Sequence, residues 1–356
     1  MIRVGIVGSR FAANLHAEAL VATGRAELVA VTSATETSRS SFATRWGVRS
    51  YPSIEQMLAS EKLDLVSLAL PNRFHADATV AAAHAGVHVI CEKPLALNLR
   101  DADRMLAACR EAGVLLLYGE ELCFAPQYRR VKTLIQEGAF GTVFSLAHRE
   151  RHSGPHAQWF YDPELSGGGA LLDMACHGIE LCRWLLDKEP VAGVFCRLGN
   201  FRHRGAAVED HAIVSLRFQS GAIATVEGSW AAVGGIDDRL EIMGENGGMV
   251  ADLARGSAML AYSERGVGYA SEKADDTVGW SHVSYEEAWH WGWPQEFAHF
   301  VDCIEGAAQP EETGVDGRAT LEIIMAAYRS AATGAEVELP FETDAVRPID
   351  LWRPPA

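Results

Sequence analysis

Short apolar runs and amphipathic segments alternate through the first third of the chain. Residues 2–7 predict a strand and 11–23 a helix with Leu15, Ala19 and Leu20 on one side; 27–32 predict a second strand and 38–46 a polar helix. The run 63–70 is apolar throughout and is bounded by Pro71. A helix over 76–85, a strand over 87–92, a helix over 99–112 and a strand over 114–119 continue the series. Strands apolar on both faces and separated by helices describe a parallel sheet covered on both sides. Right-handed crossovers then give a doubly wound α/β domain over residues 1–121.

The pattern changes beyond that point. A helix is expected over 127–137, ending at Gly138, then a strand over 143–149 and a Gly-rich segment leading into a helix over 170–186. Alternating runs follow at 191–198, 211–218, 222–230 and 239–243, with short strands at 248–252 and 258–262 joined by Gly and Asn turns. Closely spaced alternating strands predict a mostly antiparallel sheet with helices on one face and the other face open. Helices over 295–305 and 319–333 close an α+β domain for substrate binding and oligomerisation over 122–336, and a Pro-rich tail, 337–356, is expected to run extended along the surface. An open sheet face needs covering, so a homodimer or homotetramer is expected.

Composition narrows the function classes. The 356 residues are 48% hydrophobic and 22% charged, ordinary for a soluble globular protein of two domains. The formal net charge of −16, with no basic run, argues against nucleic acid and anionic membranes as partners but leaves a small ligand open. Seven scattered cysteines, odd in number and without C-x-x-C spacing, fit reduced thiols of a cytoplasmic protein. The first residues run straight into a strand, so no signal peptide is expected, and no apolar stretch approaches the roughly 20 residues of a membrane span.

The segment Gly5-Ile6-Val7-Gly8-Ser9-Arg10-Phe11-Ala12-Ala13 sits between strand and helix, where the phosphate turn of a Rossmann domain belongs. Gly8 fills the first place that must lack a Cβ, and Ser9, Arg10, Phe11 and Ala12 continue the turn; Arg10 stands where a second glycine is usual. After the second strand come Thr32-Ser33-Ala34-Thr35, with no carboxylate before Glu36. A carboxylate there accepts from a ribose 2′-hydroxyl and repels a 2′-phosphate. Ser33 with Arg10 or Arg39 therefore favours NADP over NAD, although Arg10 could equally cover the adenine or cap the turn.

Two further constellations carry chemistry. The strand over 87–92 ends in Glu92-Lys93-Pro94, and ligands of doubly wound sheets bind beyond the carboxyl ends of strands, so Lys93 is expected at the nicotinamide end of the site. Asp173 and His177, four apart on a helix after Gly167-Gly168-Gly169, would share one face. A carboxylate that fixes an imidazole tautomer and raises its basicity suits general-base work on a hydroxyl. Such a pair also occurs as a plain helix-surface contact; the apolar neighbours Leu171, Leu172, Met174 and Leu181 favour a cleft.

On these motifs the chain resembles the Gfo/Idh/MocA oxidoreductases, the glucose–fructose oxidoreductase and inositol dehydrogenase group. The matching segments are 4–16, 70–75, 92–94, 138–143, 167–177, 297–301, 314–317, 326–334 and 339–340, nearly the whole chain. The resemblance implies hydride transfer between NADP or NAD and a secondary hydroxyl of a sugar, sugar acid or cyclitol. Lys93 would hydrogen-bond the reacting hydroxyl and the nicotinamide ribose, His177 would take the proton, and Asp173 would orient it and contact the substrate. Pro71, Asn72 and His75 would line the cofactor, and Glu92 and Glu120 would border its nicotinamide end. The departures are Arg10 for glycine and Glu180 where relatives often carry Asp. By the same resemblance the loop 149–160 borders the substrate, with His152 and His156 as donors and Trp159 as a stacking surface.

Other readings stand beside this one. His152, His156, Asp173 and His177 could chemically hold a divalent metal, but their spacing follows no compact motif and the family chemistry needs none. The run Trp289-His290-Trp291-Gly292-Trp293 reads as core or interface in preference to a substrate wall. The family also contains redox-neutral enzymes that cleave glycosides with a tightly held cofactor, and non-enzymatic co-regulators. Lys93, Asp173 and His177 together argue against the latter.

Overall fold

The computed structural model describes residues 1–254, 259–274, 276–284 and 286–353, which cluster into two compact units. The first comprises Met1–Glu121 and Gly292–Leu321; the second comprises Leu122–Trp291 and the chain from Glu322 onward.

In the first unit, strands and helices alternate: β1 (Ile2–Val7), α1 (Phe11–Ala22), β2 (Ala26–Thr32), α2 (Glu36–Trp46), β3 (Arg49–Tyr51), α3 (Ile54–Ser60), β4 (Leu65–Leu68), α4 (His75–His84), β5 (His88–Glu92), α5 (Leu99–Ala112) and β6 (Leu116–Gly119). The six strands are parallel in the order β3-β2-β1-β4-β5-β6. Strand order reverses between β1 and β4, the position at which open α/β sheets bind ligands. β4 is buried along its whole length, as both-faces coverage requires. Local polar residues start the helices: the Thr35 hydroxyl accepts from the Ser38 N–H at α2, and the Asn98 side chain accepts from the Asp101 N–H at α5. β3 and α3 were not expected from the pattern. β3 is three residues long and pairs only with β2 at the sheet edge, too short for an alternation to show.

Residues 292–321 join this unit through a helix. α11 (Trp293–Ile304) buries Phe297, Phe300 and Val301, and the Phe297 ring lies 4.7 Å from that of His16 on α1. Arg25 pairs with Asp302 and Glu305, and Leu117 bridges to Thr313.

The second unit is built on a seven-stranded sheet in the order β12-β11-β7-β10-β9-β8-β15. Its strands are β7 (Val143–Arg151), β8 (Val191–Gly199), β9 (His211–Phe218), β10 (Ile223–Ser229), β11 (Asp237–Gly244), β12 (Gly247–Asp252) and β15 (Val337–Glu338). All neighbours are antiparallel except β7 and β10, which run parallel. α6 (Pro126–Gln136) and the short α7 (Pro163–Ser166) precede α8 (Ala170–Asp173) and α9 (Ala175–Leu185); α9 covers one sheet face, where Gly178 admits His148 and Val226. On the other face Ile213, Ile223, Met243 and Val250 are exposed around Arg151, which pairs with both Glu227 and Asp237.

A separate hairpin joins β13 (Leu260–Ser263) and β14 (Gly279–His282); the strand expected over 258–262 thus begins later, and its first residue, Ala258, lies outside the described residues. α10 (Glu287–His290) follows, and α12 (Gly314–Thr333) starts five residues before the expected 319. The tail is not merely a surface strand: Ile349 and Leu351 are buried, and the Ile349 N–H donates to the Gly167 carbonyl. No helix among the described residues is long and apolar enough to cross a membrane.

Candidate active site

The first unit supplies a dinucleotide cradle. Gly8 follows β1 with φ +124°, and a Cβ there would lie 2.2 Å from the Ala69 carbonyl oxygen, so only glycine fits. Its N–H donates to the Thr32 carbonyl, which ties the turn to the end of β2. There a chain of hydroxyls runs from Ser9 to Ser33 (2.8 Å), Ser33 to Ser38 (3.1 Å) and Ser38 to Thr35 (2.7 Å). Arg10 is exposed just before α1, and Arg39 is half-buried one residue beyond Ser38. A crevice that excludes a Cβ and lacks a carboxylate at the end of β2 fits the pyrophosphate and ribose of a dinucleotide. Thr35 belongs to the hydroxyl stretch noted in the sequence; Ser38 was not singled out there, and its signal was the density of hydroxyls around Ser33.

Lys93 stands half-buried where β5 ends, and the Lys93–Pro94 bond is cis. Two buried side chains brace it. His75 places Nδ1 3.0 Å from the Pro94 carbonyl and Nε2 3.0 Å from the Leu70 carbonyl, which joins the 70–75 turn to the Lys93 turn. Burial pushes the His75 pKa down, against the pull of the two carbonyls. A ring so engaged acts as a strut for the segment that contains buried Asn72. Glu92 accepts the Lys93 N–H at 3.1 Å through one carboxylate oxygen and meets His16 Nε2 at 2.7 Å through the other. His16 Nδ1 lies 2.6 Å from the Ser67 hydroxyl. His16 closes the 4–16 motif but carried no role in the sequence reading.

Glu92 belongs to a buried acidic group with Glu120, Glu121 and Glu296. Burial, then the charges of Glu121, Glu92 and Glu120, hold the Glu296 carboxyl well above the usual carboxylate range, against one backbone N–H from Glu120. Of the tryptophan-rich run, Trp289 is exposed, Trp291 is buried, and Trp293 packs 5.4 Å from the His16 ring.

Asp173 and His177 lie in the second unit. The expected helix over 170–186 is broken at Met174 into α8 and α9, so Asp173 ends one helix and His177 lies in the first turn of the next. The interruption is one residue long, and Met174 keeps φ -104° and ψ -48°, within the right-handed helical region. Asp173 is half-buried, and its Oδ2 accepts from Trp230 Nε1 at 3.0 Å. Trp230 is fully buried at the end of β10, and nothing in its spacing disclosed this partnership.

The glycines before α8 serve the chain itself. A Cβ on Gly169 would fall 1.8 Å from the Glu209 carbonyl oxygen, and one on Gly168 2.1 Å from the Tyr328 hydroxyl. Gly169→Ala must displace backbone and is expected to destabilise the fold by about 3 kcal/mol. Denaturant unfolding checks this, and an unchanged midpoint would contradict it.

His152 is 4% exposed and its Nδ1 has no partner among the described residues. Burial lowers its pKa to about 4 despite the pull of Asp173, so the ring is neutral at physiological pH. His156 pairs with Glu272 at 2.8 Å, and Lys273 Nζ donates to the Gly154 carbonyl at 2.8 Å. These two loop residues, preceding β14, had no sequence signal. Trp159 stacks on Phe160 at 3.8 Å, and Phe160 meets Trp230 edge-on. Among the described residues, no three of His152, His156, Asp173 and His177 bring ligand atoms within 4.8 Å of one another. Glu180, the other departure, is buried and pairs with Arg183.

Comparison with known proteins agrees with this architecture. Residues 2–120 match the oxidoreductase family with an NAD-binding Rossmann fold, and 128–250 match the GFO/IDH/MocA C-terminal domain. The chain is 32% identical to 1,5-anhydro-D-fructose reductase of Ensifer adhaerens, over 95% of this chain and 99% of that one. It is 28% identical to myo-inositol 2-dehydrogenase of Thermotoga maritima, over 95% and 98%. Among solved structures it is similar to GenD2 from gentamicin A biosynthesis in complex with NAD, with a TM-score of 0.91, 33% identity and coverage of 96% and 97%.

Proposed function

The chain belongs to the Gfo/Idh/MocA family of NAD-binding oxidoreductases, and from that premise we propose that it oxidises or reduces a secondary hydroxyl of a sugar, sugar acid or cyclitol. The observation that carries the reading is Lys93, half-buried at the carboxyl end of β5 and braced through Glu92 and His75. Bound nicotinamide supplies the hydride acceptor or donor. The Lys93 ammonium donates to the reacting oxygen and lowers the cost of negative charge developing there. His177 takes the hydroxyl proton, and Asp173, steadied by the Trp230 indole, orients the substrate. His152, neutral and buried, borders the substrate with a Nδ1 that has no partner among the described residues, and His156 and Trp159 complete the carbohydrate surface. Pro71 and Asn72 line the cofactor, with Glu92 and Glu120 at its nicotinamide end. A thermal-shift screen of monosaccharides and inositols tests the ligand class: stabilisation by at least one of them is expected, and none across the panel would count against it.

The cofactor proposed is NADP in preference to NAD, on the hydroxyl chain through Ser33 and Ser38 and on Arg39. The expected result is NADP binding about tenfold tighter than NAD, with Ser33→Asp reversing the order by placing a carboxylate against the 2′-phosphate. Fluorescence titration of the apoprotein with both cofactors measures this; tenfold tighter NAD binding would overturn it. The exposed apolar residues on the open face of the second unit's sheet support a homodimer or homotetramer.

A further inference from the structure

A buried glutamate lies behind Asp173. Glu209, fully buried two residues before β9, gathers three donors on a single oxygen: Gly169 N–H at 3.0 Å, Leu171 N–H at 2.9 Å and the Tyr328 hydroxyl at 2.8 Å. Its backbone carbonyl takes the Ala170 N–H at 3.0 Å. The turn that delivers Asp173 thus hangs on one residue. The next residue holds the other support. The Asp210 carboxylate accepts the backbone N–H groups of Phe201, Arg202 and His203, and its carbonyl accepts the Trp230 N–H at 2.7 Å. Trp230 in turn donates its indole N–H to Asp173. Asp173 is therefore fixed through the preceding Gly169–Leu171 turn by Glu209 and through its carboxylate by the indole that Asp210 anchors.

We propose that Glu209 is a positioning residue for the reaction, which sets where Asp173 stands through the Gly169–Leu171 turn and passes changes in its own charge to that turn. The inference rests on the reading of Asp173 as a substrate-orienting group. A fully buried carboxylate is a costly way to hold two amides, since a neutral acceptor would serve packing alone.

Two opposing effects act on this group. Burial favours the neutral acid, whereas three donors aimed at one oxygen favour the carboxylate. The balance puts Glu209 at about 7. Its other oxygen has no partner among the described residues, so no acceptor stands ready for a carboxyl proton. On protonation the three contacts lose their charge assistance, and each weakens by roughly half. The groups facing Glu209 are Tyr328 from α12 and Cys196 from β8; burial holds both far above this range, so neither changes charge there. On the Asp173 side, His152 titrates at about 4, and His203 lies 3.4 Å from the Trp230 carbonyl.

The Trp230 indole N–H reports the position of Asp173 without any turnover. In protein with ¹⁵N-labelled tryptophan, this resonance, assigned with Trp230→Phe, is expected to titrate with a midpoint near pH 7. Glu209→Gln keeps an acceptor oxygen but cannot ionise, and should abolish the titration. Tyr328→Phe removes one donor to the carboxylate and should move the midpoint up by about one pH unit. With a sugar substrate, kcat/KM should show a rise of about tenfold at the same midpoint that is lost in Glu209→Gln, where only the dependence imposed by the base His177 is left, and that shifts with Tyr328→Phe.

Persistence of the indole titration in Glu209→Gln, or a midpoint unmoved by Tyr328→Phe, overturns the proposal. If Glu209→Gln does not fold, the Tyr328→Phe shift alone decides. The expected indole behaviour without turnover of any sugar leaves the coupling of Glu209 to Asp173 standing and counts against the substrate reading instead.

Discussion

Replacing Lys93 with methionine is expected to lower kcat by about 10³-fold while cofactor affinity changes by less than about threefold. Methionine keeps an unbranched side chain of similar length but has no charge and no donor. The loss corresponds to about 4 kcal/mol of transition-state stabilisation, within the range of one well-placed charged donor at a developing alkoxide. The supports of the turn are untouched, because Glu92 accepts the Lys93 backbone N–H and His75 lies against the Leu70 and Pro94 carbonyls, contacts that do not use the lysine side chain. Steady-state kinetics with a fluorescence titration of cofactor separates the two effects. Retention of more than a tenth of kcat would remove Lys93 from the chemistry.

His177→Asn is expected to cost kcat about 10²-fold at neutral pH, with little change in folding stability. Asparagine keeps a polar group at the start of α9 but cannot take a proton. His177 is 3% exposed, so the variant is checked first by its unfolding midpoint and then by its rate. If His177 is the base, the loss should shrink as pH rises and hydroxide or a second group removes the proton. A constant loss across pH would assign His177 to substrate binding instead.

The first unit was nearly all legible because its central strands are apolar on both faces. β4 is buried throughout and bounded by Pro71, and β5 ends at Glu92-Lys93-Pro94, so both the sheet and its carboxyl-end lysine could be read directly. β3 escaped because three residues at a sheet edge, two exposed and one half-buried, leave no periodicity. α11 was visible as a helix, but amphipathy says only that one face is buried, and not that Phe297 lies against His16 of the first unit. The interruption at Met174 was hidden for a related reason. Helical spacing predicts a shared face for Asp173 and His177, whereas Glu209, Tyr328 and Trp230, distant in sequence, determine where that helix starts and how Asp173 is held.

The glycines show how a motif can be recognised while its partners stay hidden. Gly167-Gly168-Gly169 stood out ahead of Asp173 with no sign of what approaches them. The close approaches at Gly168 and Gly169 come from the Tyr328 hydroxyl and the Glu209 carbonyl. The cofactor turn is the converse case: Gly8 was assigned its place from the sequence, and the 2.2 Å approach of Ala69 explains it.

The most direct measurement is reduced-nicotinamide absorbance during incubation of the protein with oxidised cofactor and a panel of sugars, sugar acids and inositols, with product analysis of the same mixtures. The account predicts at least one substrate for which reduced cofactor and ketone product appear in equal amounts, and for which both disappear in Lys93→Met. Substrate loss with the cofactor still oxidised, or no reaction across the panel, would contradict it.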